Sequence, residues 1–265
     1  MEDLVKEAEA VNNVIKDDVP TIGKPEPTYV DLLRGVVDPN SGKWQTSAEV
    51  RELTGEDEEF LASLESDKTM TYARYMNSLV ARATIRIGSL EINNSPTIVQ
   101  ELITGDRDLL FLGIIRATYG PERTFPRNCI ACGKPNDVTI NLIEDFPVKK
   151  PTADIHGTID VPIKRGVVKV RIPNGADNLY VSKAGSTSAE QSTLLISRCT
   201  VWDDGSAPND PIRWAKSLSL ADRNKIVKAI LDIEAGPSMK EVNTQCAHCG
   251  NEMDIAIDWV SLLLG

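Results

Sequence analysis

The sequence is poor in histidine, in aromatic side chains and in long apolar runs. It has two histidines, and aromatic residues make up 5% of its 265 residues. No apolar stretch approaches the roughly 18 to 20 residues that a membrane-spanning helix needs. The N-terminal stretch "MEDLVKEAEAVNNVIKDD" is acidic, whereas a signal peptide has an apolar centre. We therefore expect no membrane segment and a protein that is made in a cytoplasm.

The sequence also lacks the short motifs that mark common catalytic sites. It contains no GxxxxGK[ST] phosphate loop, no GxGxxG after a strand, no GxSxG and no HExxH. The pattern places no two of the 39 acidic residues together as a catalytic pair. The sequence therefore predicts a non-enzymatic protein that has no catalytic residues, no small-molecule substrate and no organic cofactor.

Positive charge is in deficit. The chain has 29 Lys and Arg residues against 39 Asp and Glu residues, which gives a net charge of −10 and a pI near 4.8. This charge repels the phosphate backbone, so nucleic acid is not an expected partner, and proteins are the expected ones. The hydrophobic fraction of 41% and the charged fraction of 26% are those of an ordinary globular protein with a substantial core.

The cysteines, in contrast, follow a clear pattern. Four of the five lie in two CxxC pairs, in "CIACGKPNDVTINL" from Cys129 and in "CAHCGNEMDIAIDW" from Cys246. Two such pairs supply the four thiolates of a tetrahedral zinc site. A glycine follows each pair and permits the left-handed backbone that turns N–H groups toward the sulfurs. The predicted ligands of a structural Zn²⁺ ion are Cys129, Cys132, Cys246 and Cys249.

Two further interpretations of the cysteine pairs stay open at this point. One is redox chemistry, although a redox CxxC opens a helix and needs only one pair, whereas each pair here precedes a strand pattern. The second is two separate metal sites. His248 is interpreted as a spacer, with the role of a substitute ligand as the alternative, and Cys199 as a small buried apolar residue.

The pattern along the chain predicts an α+β fold, namely a helical bundle plus a split zinc-ribbon module with a helical insertion. We expect an extended N-terminal arm at residues 1–46, a helical domain at 47–120, the first knuckle with strands at 121–172, the insertion at 173–237 and the second knuckle with a final strand at 238–265. The two knuckles close one ribbon. The arm is rich in proline, and a disordered tail is the alternative to a segment that becomes ordered on a neighbour.

Two helices carry patterns that resemble functional sites. Thr54 can cap a helix that has Asp57 at its third position, so the acidic cluster Glu56–Glu59 is interpreted as a helix start rather than a catalytic group. In the next helix, Arg74, Arg82 and Arg86 lie opposite an apolar stripe. A solvated face is the simple interpretation, and contact with an acidic partner is the alternative.

Four features together resemble a known family. They are the segments "VRELTGEDEEFLASL", "LITGDRDLLFLGIIRATYG" and "GVVKVRIPNGADNLYV" and the two CxxC pairs. In this order they resemble the T4-type bacteriophage base plate hub and tail assembly proteins, over residues 47 to 260. The segment "RELTGEDE" alone is also similar to tail assembly chaperones of other phages, so the combination carries the resemblance.

The resemblance implies a structural component of a contractile phage tail base plate, in the hub region of the virion. It implies other tail and base plate proteins as partners, and copies of the chain itself in a ring. A tail assembly chaperone or adaptor that is not retained in the virion is the alternative. A zinc-dependent enzyme or a nucleic-acid-binding ribbon is the remaining class.

Overall fold

A computed structural model of the chain describes residues 28–65, 67–68, 70–203, 205–238, 242–255 and 262–263. Within these residues there are eight helices and thirteen strands, and every strand pair is antiparallel. The α+β class predicted from the sequence is therefore confirmed. None of the helices in the described ranges is long and apolar enough to cross a bilayer.

Residues 28–120, here called unit 1, form a four-stranded sheet covered by helices. Its elements are β1 (Thr28–Val37), β2 (Trp44–Val50), α1 (Gly55–Glu65), α2 (Tyr72–Ala83), β3 (Thr84–Ile87), β4 (Leu90–Glu91), α3 (Pro96–Glu101) and α4 (Thr104–Tyr119). The strand order is β1-β2-β3-β4. Helix α4 is apolar on most sides and packs on β1. It ends at Tyr119, because the next residue, Gly120, has a φ of 91°, which is incompatible with a right-handed helix.

A first hairpin with a CxxC turn follows unit 1. It consists of β5 (Glu122–Asn128) and β6 (Pro135–Asn141), and we call it knuckle 1. Strand β7 (Val148–Lys149) then leads to the second part of the chain. The alternation predicted for β6 is confirmed, because Val138 and Ile140 are buried while Asp137 and Thr139 are exposed.

Residues 159–238, here called unit 2, repeat the order of unit 1. Its elements are β8 (Ile159–Ile163), β9 (Gly166–Val170), α5 (Gly175–Ala184), α6 (Ser188–Cys199), β10 (Thr200–Val201), α7 (Pro211–Ser217), α8 (Leu220–Asp232) and β11 (Gly236–Pro237). A second CxxC hairpin, knuckle 2, follows with β12 (Val242–Gln245) and β13 (Glu252–Ile255). As predicted, α8 begins at a Ser219 cap with Asp222 at its third position.

The two units share more than the order of their elements. In each, a hairpin is followed by two helices, a strand that pairs with the second hairpin strand, two more helices and a knuckle. The fourth helix of each unit also contacts its own hairpin through an aspartate at the third helical position. Asp106 accepts a hydrogen bond from Gly35 N at 2.8 Å, and Asp222 accepts one from Lys164 N at 3.2 Å. The chain is thus built from one unit that occurs twice.

A pair of a partly exposed arginine and a buried aspartate also occurs once in each unit. Arg51 donates to both carboxylate oxygens of Asp57 at 2.6 and 3.0 Å. Arg171 donates to both carboxylate oxygens of Asp177 at 2.6 and 3.0 Å. Each arginine stands just after the second hairpin strand, and each aspartate lies in the first turn of the following helix. The pair therefore fixes that helix to the hairpin in both units.

The apolar core is divided unequally between the units. The larger cluster contains unit 1 residues together with residues of both knuckles, including Phe125, Ile140 and Met253. A separate cluster in unit 2 includes Val170, Ile196 and Ile230 and has no knuckle residue. Both knuckles therefore pack on unit 1.

The expectation of an extended arm at residues 1–46 is wrong for residues 28–46. These residues form most of the hairpin β1–β2, in which Val30, Leu32 and Val36 are buried in the main core. Trp44 contacts the ring of His156, with centroids 4.3 Å apart. Burial of three aliphatic side chains favours the ordered hairpin. Residues 1–27 lie outside the described residues, and the division of the rest of the chain into four segments stays a prediction.

The structure also shows which contacts the acidic cluster at Glu56–Glu59 and the three arginines of the next pattern make. Thr54 donates its backbone N–H to Asp57 at 2.9 Å, which confirms Asp57 as part of a helix start. The three arginines of the second pattern are all paired within the chain. Arg74 and Arg82 of α2 pair with Asp67 and Asp57. Arg86 lies on strand β3 and not on the predicted helix, and it pairs with Glu49. Internal pairing removes the reason to assign this face to an acidic partner.

Candidate metal centre

The two knuckles bring the four predicted ligands together. The sulfur atoms of Cys129, Cys132, Cys246 and Cys249 all lie within 4.8 Å of one another. The Cys129 and Cys249 sulfurs are 3.8 Å apart, and those of Cys132 and Cys246 are 3.7 Å apart. In a tetrahedral zinc site with Zn–S bonds of about 2.3 Å, neighbouring sulfurs are about 3.8 Å apart. The donor set and its spacing therefore fit one tetrahedral zinc ion.

Each knuckle turn is built from the same backbone hydrogen bonds. Gly133 N donates to Cys129 O at 2.8 Å, and Gly250 N donates to Cys246 O at 2.9 Å. Both glycines adopt the left-handed conformation, with φ values of 70° and 71°, as the sequence predicted. His248 N lies 3.4 Å from the Cys246 sulfur and donates to it. Such N–H donors stabilise the negative charge that thiolates bring to a site.

The four cysteines alternate between the protein interior and the surface. Cys129 and Cys246, the first cysteine of each pair, are buried in the main core, while Cys132 and Cys249 are exposed. Four thiolates would fill all positions of a tetrahedral ion, so such an ion binds neither water nor substrate. The arrangement can hold the two hairpins together, and it offers no site for catalysis at the metal.

Direct hydrogen bonds also join the two knuckles. Ala247 N donates to Asn136 Oδ1 at 2.9 Å, while Asn136 Nδ2 donates to Lys134 O at 3.0 Å. The Nε2 atom of His248 lies 3.1 Å from Pro135 O. His248 therefore stands outside the group of four sulfurs and contacts the opposite knuckle. Sequence reasoning did not single out Asn136, because a lone asparagine in a turn carries no distinctive pattern.

The fifth cysteine, Cys199, is not part of the group of four sulfurs. Cys199 ends helix α6 in the core of unit 2 and is fully buried. Burial raises the pKa of its thiol to about 12. The neutral thiol is poorly nucleophilic and a weak ligand. This agrees with its interpretation as a small apolar residue.

A carboxyl group with a raised pKa lies elsewhere, at the contact between the units. Burial raises the pKa of Asp108 to about 7, although Arg107 opposes the shift. Both residues line a cavity of about 330 Å³ together with Asn178 and Ser182 of unit 2. Arg107 is buried and donates to Asn77 Oδ1 at 2.8 Å. Within the described residues this cavity brings no histidine or cysteine to the carboxyl group.

Comparison with protein families assigns the chain. A family model described as T4 bacteriophage base plate protein matches residues 38–263, which include most of unit 1, all of unit 2 and both knuckles. The chain belongs to this family. It is therefore a structural protein of a phage tail base plate, and its partners include other phage tail proteins. The match confirms the resemblance noted from the sequence. No curated protein and no solved structure matches the chain.

Proposed function

We propose that the chain is a non-enzymatic component of the hub region of a contractile tail base plate, stapled by one structural zinc ion. It acts through protein–protein contacts with neighbouring tail proteins and with copies of itself. Nucleic acid, membrane and small-molecule substrates have no part in this function. The single observation that carries the proposal is the group of four sulfur atoms, because it lies within the family match and joins hairpins from both halves of the chain.

The metal would link knuckle 1 to knuckle 2 and would not take part in catalysis. Cys129 and Cys132 would hold it from knuckle 1, and Cys246 and Cys249 from knuckle 2. The two pairs are separated by more than 100 residues, and closing such a loop costs several kcal/mol of chain entropy. A structural zinc site contributes on the order of 10 kcal/mol, which exceeds this cost. The knuckles then form one split ribbon that packs on unit 1.

The alternative function is that of an assembly chaperone or adaptor that leaves before the virion is complete. Quantitative mass spectrometry of purified particles distinguishes the two. A permanent component is expected at a fixed ratio to known base plate proteins, in particles that have been washed at high salt. Presence in infected-cell lysate together with absence from such particles would establish the chaperone function instead.

A further inference from the structure

Helix α8 of unit 2 leaves an apolar stripe uncovered. Leu220 is 77% exposed and Leu231 is 50% exposed. Val227 lies between them and is half-buried. Val227 and Leu231 follow Leu220 by seven and eleven residues, so the three share one helix face. The adjacent face of α8 carries Ile226 and Ile230, which are fully buried in the core of unit 2.

The equivalent helix of unit 1 has no such exposed stripe. Asp106 of α4 and Asp222 of α8 both occupy the third helical position, which aligns Val227 with Phe111 and Leu231 with Ile115. Phe111 and Ile115 are fully buried in the cluster that also contains the knuckle residues. The same face is therefore fully buried in one unit, whereas in the second Val227 is half-buried and Leu231 is exposed.

The charges beside the open stripe differ from those of unit 1. Lys225 and Lys228 are exposed on α8. Lys228 pairs with Asp232 at 2.8 Å, but both side chains are largely exposed, so solvent weakens this contact. Unit 2 as a whole has 11 Lys and Arg residues against 9 Asp and Glu residues, whereas unit 1 has 9 against 14. The open stripe thus lies on the basic part of an acidic protein.

Unit 1 carries a surface of the complementary kind. A groove of about 450 Å³ lies between α1, α2 and the end of α4, and its lining includes Leu53, Leu61, Ala62, Tyr119 and Leu263. Glu58 lines the same groove. Glu59, from the next position of α1, is also exposed, and exposed Glu56 lies 3.6 Å from Arg82. An apolar floor with a carboxylate rim matches an apolar stripe that has lysines beside it.

We propose that helix α8 of one copy docks into the α1 groove of a second copy, with Leu220 and Leu231 in the groove and Lys225 and Lys228 facing its glutamates. The two surfaces lie on different units, so the contact is head-to-tail and can continue from copy to copy. This proposal names the surfaces for the self-contact in the proposed function, and it rests on that function only for its place in the particle.

The first test is sedimentation velocity on the purified full-length, metal-loaded protein over a range of protein and NaCl concentrations. Wild type is expected to form dimers and larger species, and their share should fall as NaCl screens the charges. Leu231→Asp should weaken association at least tenfold, and so should Lys225→Glu combined with Lys228→Glu. Ile143→Asp, at an exposed apolar position outside both surfaces, is the matched control and should associate as wild type does. A wild type that is monomeric at every concentration overturns the proposal.

The second test separates head-to-tail contact from symmetric contact. Leu231→Asp removes the α8 surface, and Ala62→Asp, at an exposed residue of the groove, removes the groove surface. Each variant alone should stay monomeric. An equimolar mixture should form a one-to-one dimer and nothing larger, because each variant keeps the surface that its partner lacks. A mixture that stays monomeric, or a variant that associates alone, overturns the assignment of these surfaces.

Unchanged thermal melting and metal content would show that both variants are folded. These solution experiments do not depend on where the protein acts. Association of the purified protein together with its absence from virions would therefore refute the proposed function and leave the self-contact standing. A purified protein that is monomeric but is present in virions would refute the self-contact and leave the proposed function standing.

Discussion

Asp57 and Asp177 accept hydrogen bonds from equivalent donors although they lie in different units of the chain. Each is fully buried, each is held by two guanidinium nitrogens of the preceding arginine, and each accepts from the Nε atom of a second arginine. That second arginine is Arg82 in unit 1 and Arg198 in unit 2, at distances of 2.8 and 2.9 Å. The two aspartates should therefore have the same energetic role.

We expect Asp57→Asn and Asp177→Asn to lower the free energy of unfolding at pH 7 by similar amounts, roughly 2–4 kcal/mol. Each change removes the carboxylate charge to which two arginines donate hydrogen bonds, so both guanidinium groups lose their ion-pair partner. Chemical denaturation with urea measures this loss. Glu59→Gln is the control, because Glu59 is exposed and should change stability little. A large loss at one aspartate and none at its counterpart would contradict the equivalence of the units.

The same pairs predict how stability depends on pH. Burial opposes ionisation of Asp57, but hydrogen bonds from Arg51, Thr54 and Arg82 outweigh it and hold the pKa of this carboxyl well below its usual range. The pKa of Asp177 is lowered in the same way, against burial, by Arg171 and Arg198. A carboxyl with a lowered folded pKa stabilises the fold above its unfolded pKa of about 3.9 and loses this effect as pH falls toward the folded pKa. The free energy of unfolding should therefore fall more steeply between pH 5 and pH 2 for wild type than for Asp57→Asn, as measured by urea denaturation at each pH.

Strand β1 gives a prediction about the segment that the sequence assigned to an arm. Leu32 is buried in the main core, whereas Tyr29 on the same strand is 58% exposed. Leu32→Ala should therefore lower the free energy of unfolding by about 2–4 kcal/mol, and Tyr29→Ala by less than about 1 kcal/mol. Guanidinium denaturation of both variants measures the difference. Equal and small losses would show that the hairpin does not contribute to the core in solution.

Metal analysis tests the proposed ion. Elemental analysis of the purified protein should give about one zinc per chain, and Cys246→Ser should lose both the metal and the cooperative unfolding transition. Cys199→Ala, at the buried cysteine outside the group of four, should keep the metal ratio. A protein that unfolds cooperatively at the same temperature in an excess of chelator would exclude a structural role for the metal.

Asn136 is expected to support the metal site without binding the ion. Its Oδ1 accepts from Ala247 N of knuckle 2 and its Nδ2 donates to Lys134 O of its own knuckle, so its loss should loosen the arrangement of the four cysteines. Asn136→Ala should weaken zinc affinity by roughly 10- to 100-fold, measured by competition with a chromophoric chelator. Asn251→Ala is the matched control, because the amide nitrogen of Asn251 makes only a contact of 3.4 Å within its own turn. Similar affinities of the two variants would refute the role of Asn136.

The grouping of the four cysteines was predictable because a metal site of this kind requires a fixed local spacing, while their role as zinc ligands stays a prediction. Two cysteines three positions apart and followed by glycine are typical of a zinc knuckle, and two such knuckles complete one tetrahedral donor set. The four sulfurs indeed form one group. The cap at Thr54 and Asp57 and the start of α8 were predictable in the same way, since each depends on neighbours three positions apart. These features depend on residues close together in the sequence, so sequence patterns are sufficient to predict them.

The hairpin β1–β2 was missed because a bulge interrupts its alternation. The pairing register shifts between Asp31 and Val36, so buried and exposed residues do not alternate along the strand. The acidic turn Asp38–Gly42 and the β-branched residues before it were the available signal. The prolines of the segment, which are typical of irregular chain, obscured that signal.

The repeated unit was missed because its matches are few and scattered. Arginine and aspartate six positions apart occur at the same place in both units, in "RELTGED" and "RIPNGAD". Between such positions the residues differ, and Leu112 of unit 1 corresponds to Lys228 of unit 2. Only the contacts in three dimensions show that the scattered identities occupy equivalent places.

The placement of one cysteine pair at the end of each repeat has a consequence for synthesis on the ribosome. Cys132 and Cys246 are 114 residues apart, and translation at about 5–20 residues per second takes roughly 6 to 23 s to cover that distance. During this time the two thiols of knuckle 1 remain without their partners in knuckle 2. The four sulfurs can come together only after knuckle 2 has emerged, so a chain that stops before Cys246 cannot complete the group of four cysteines.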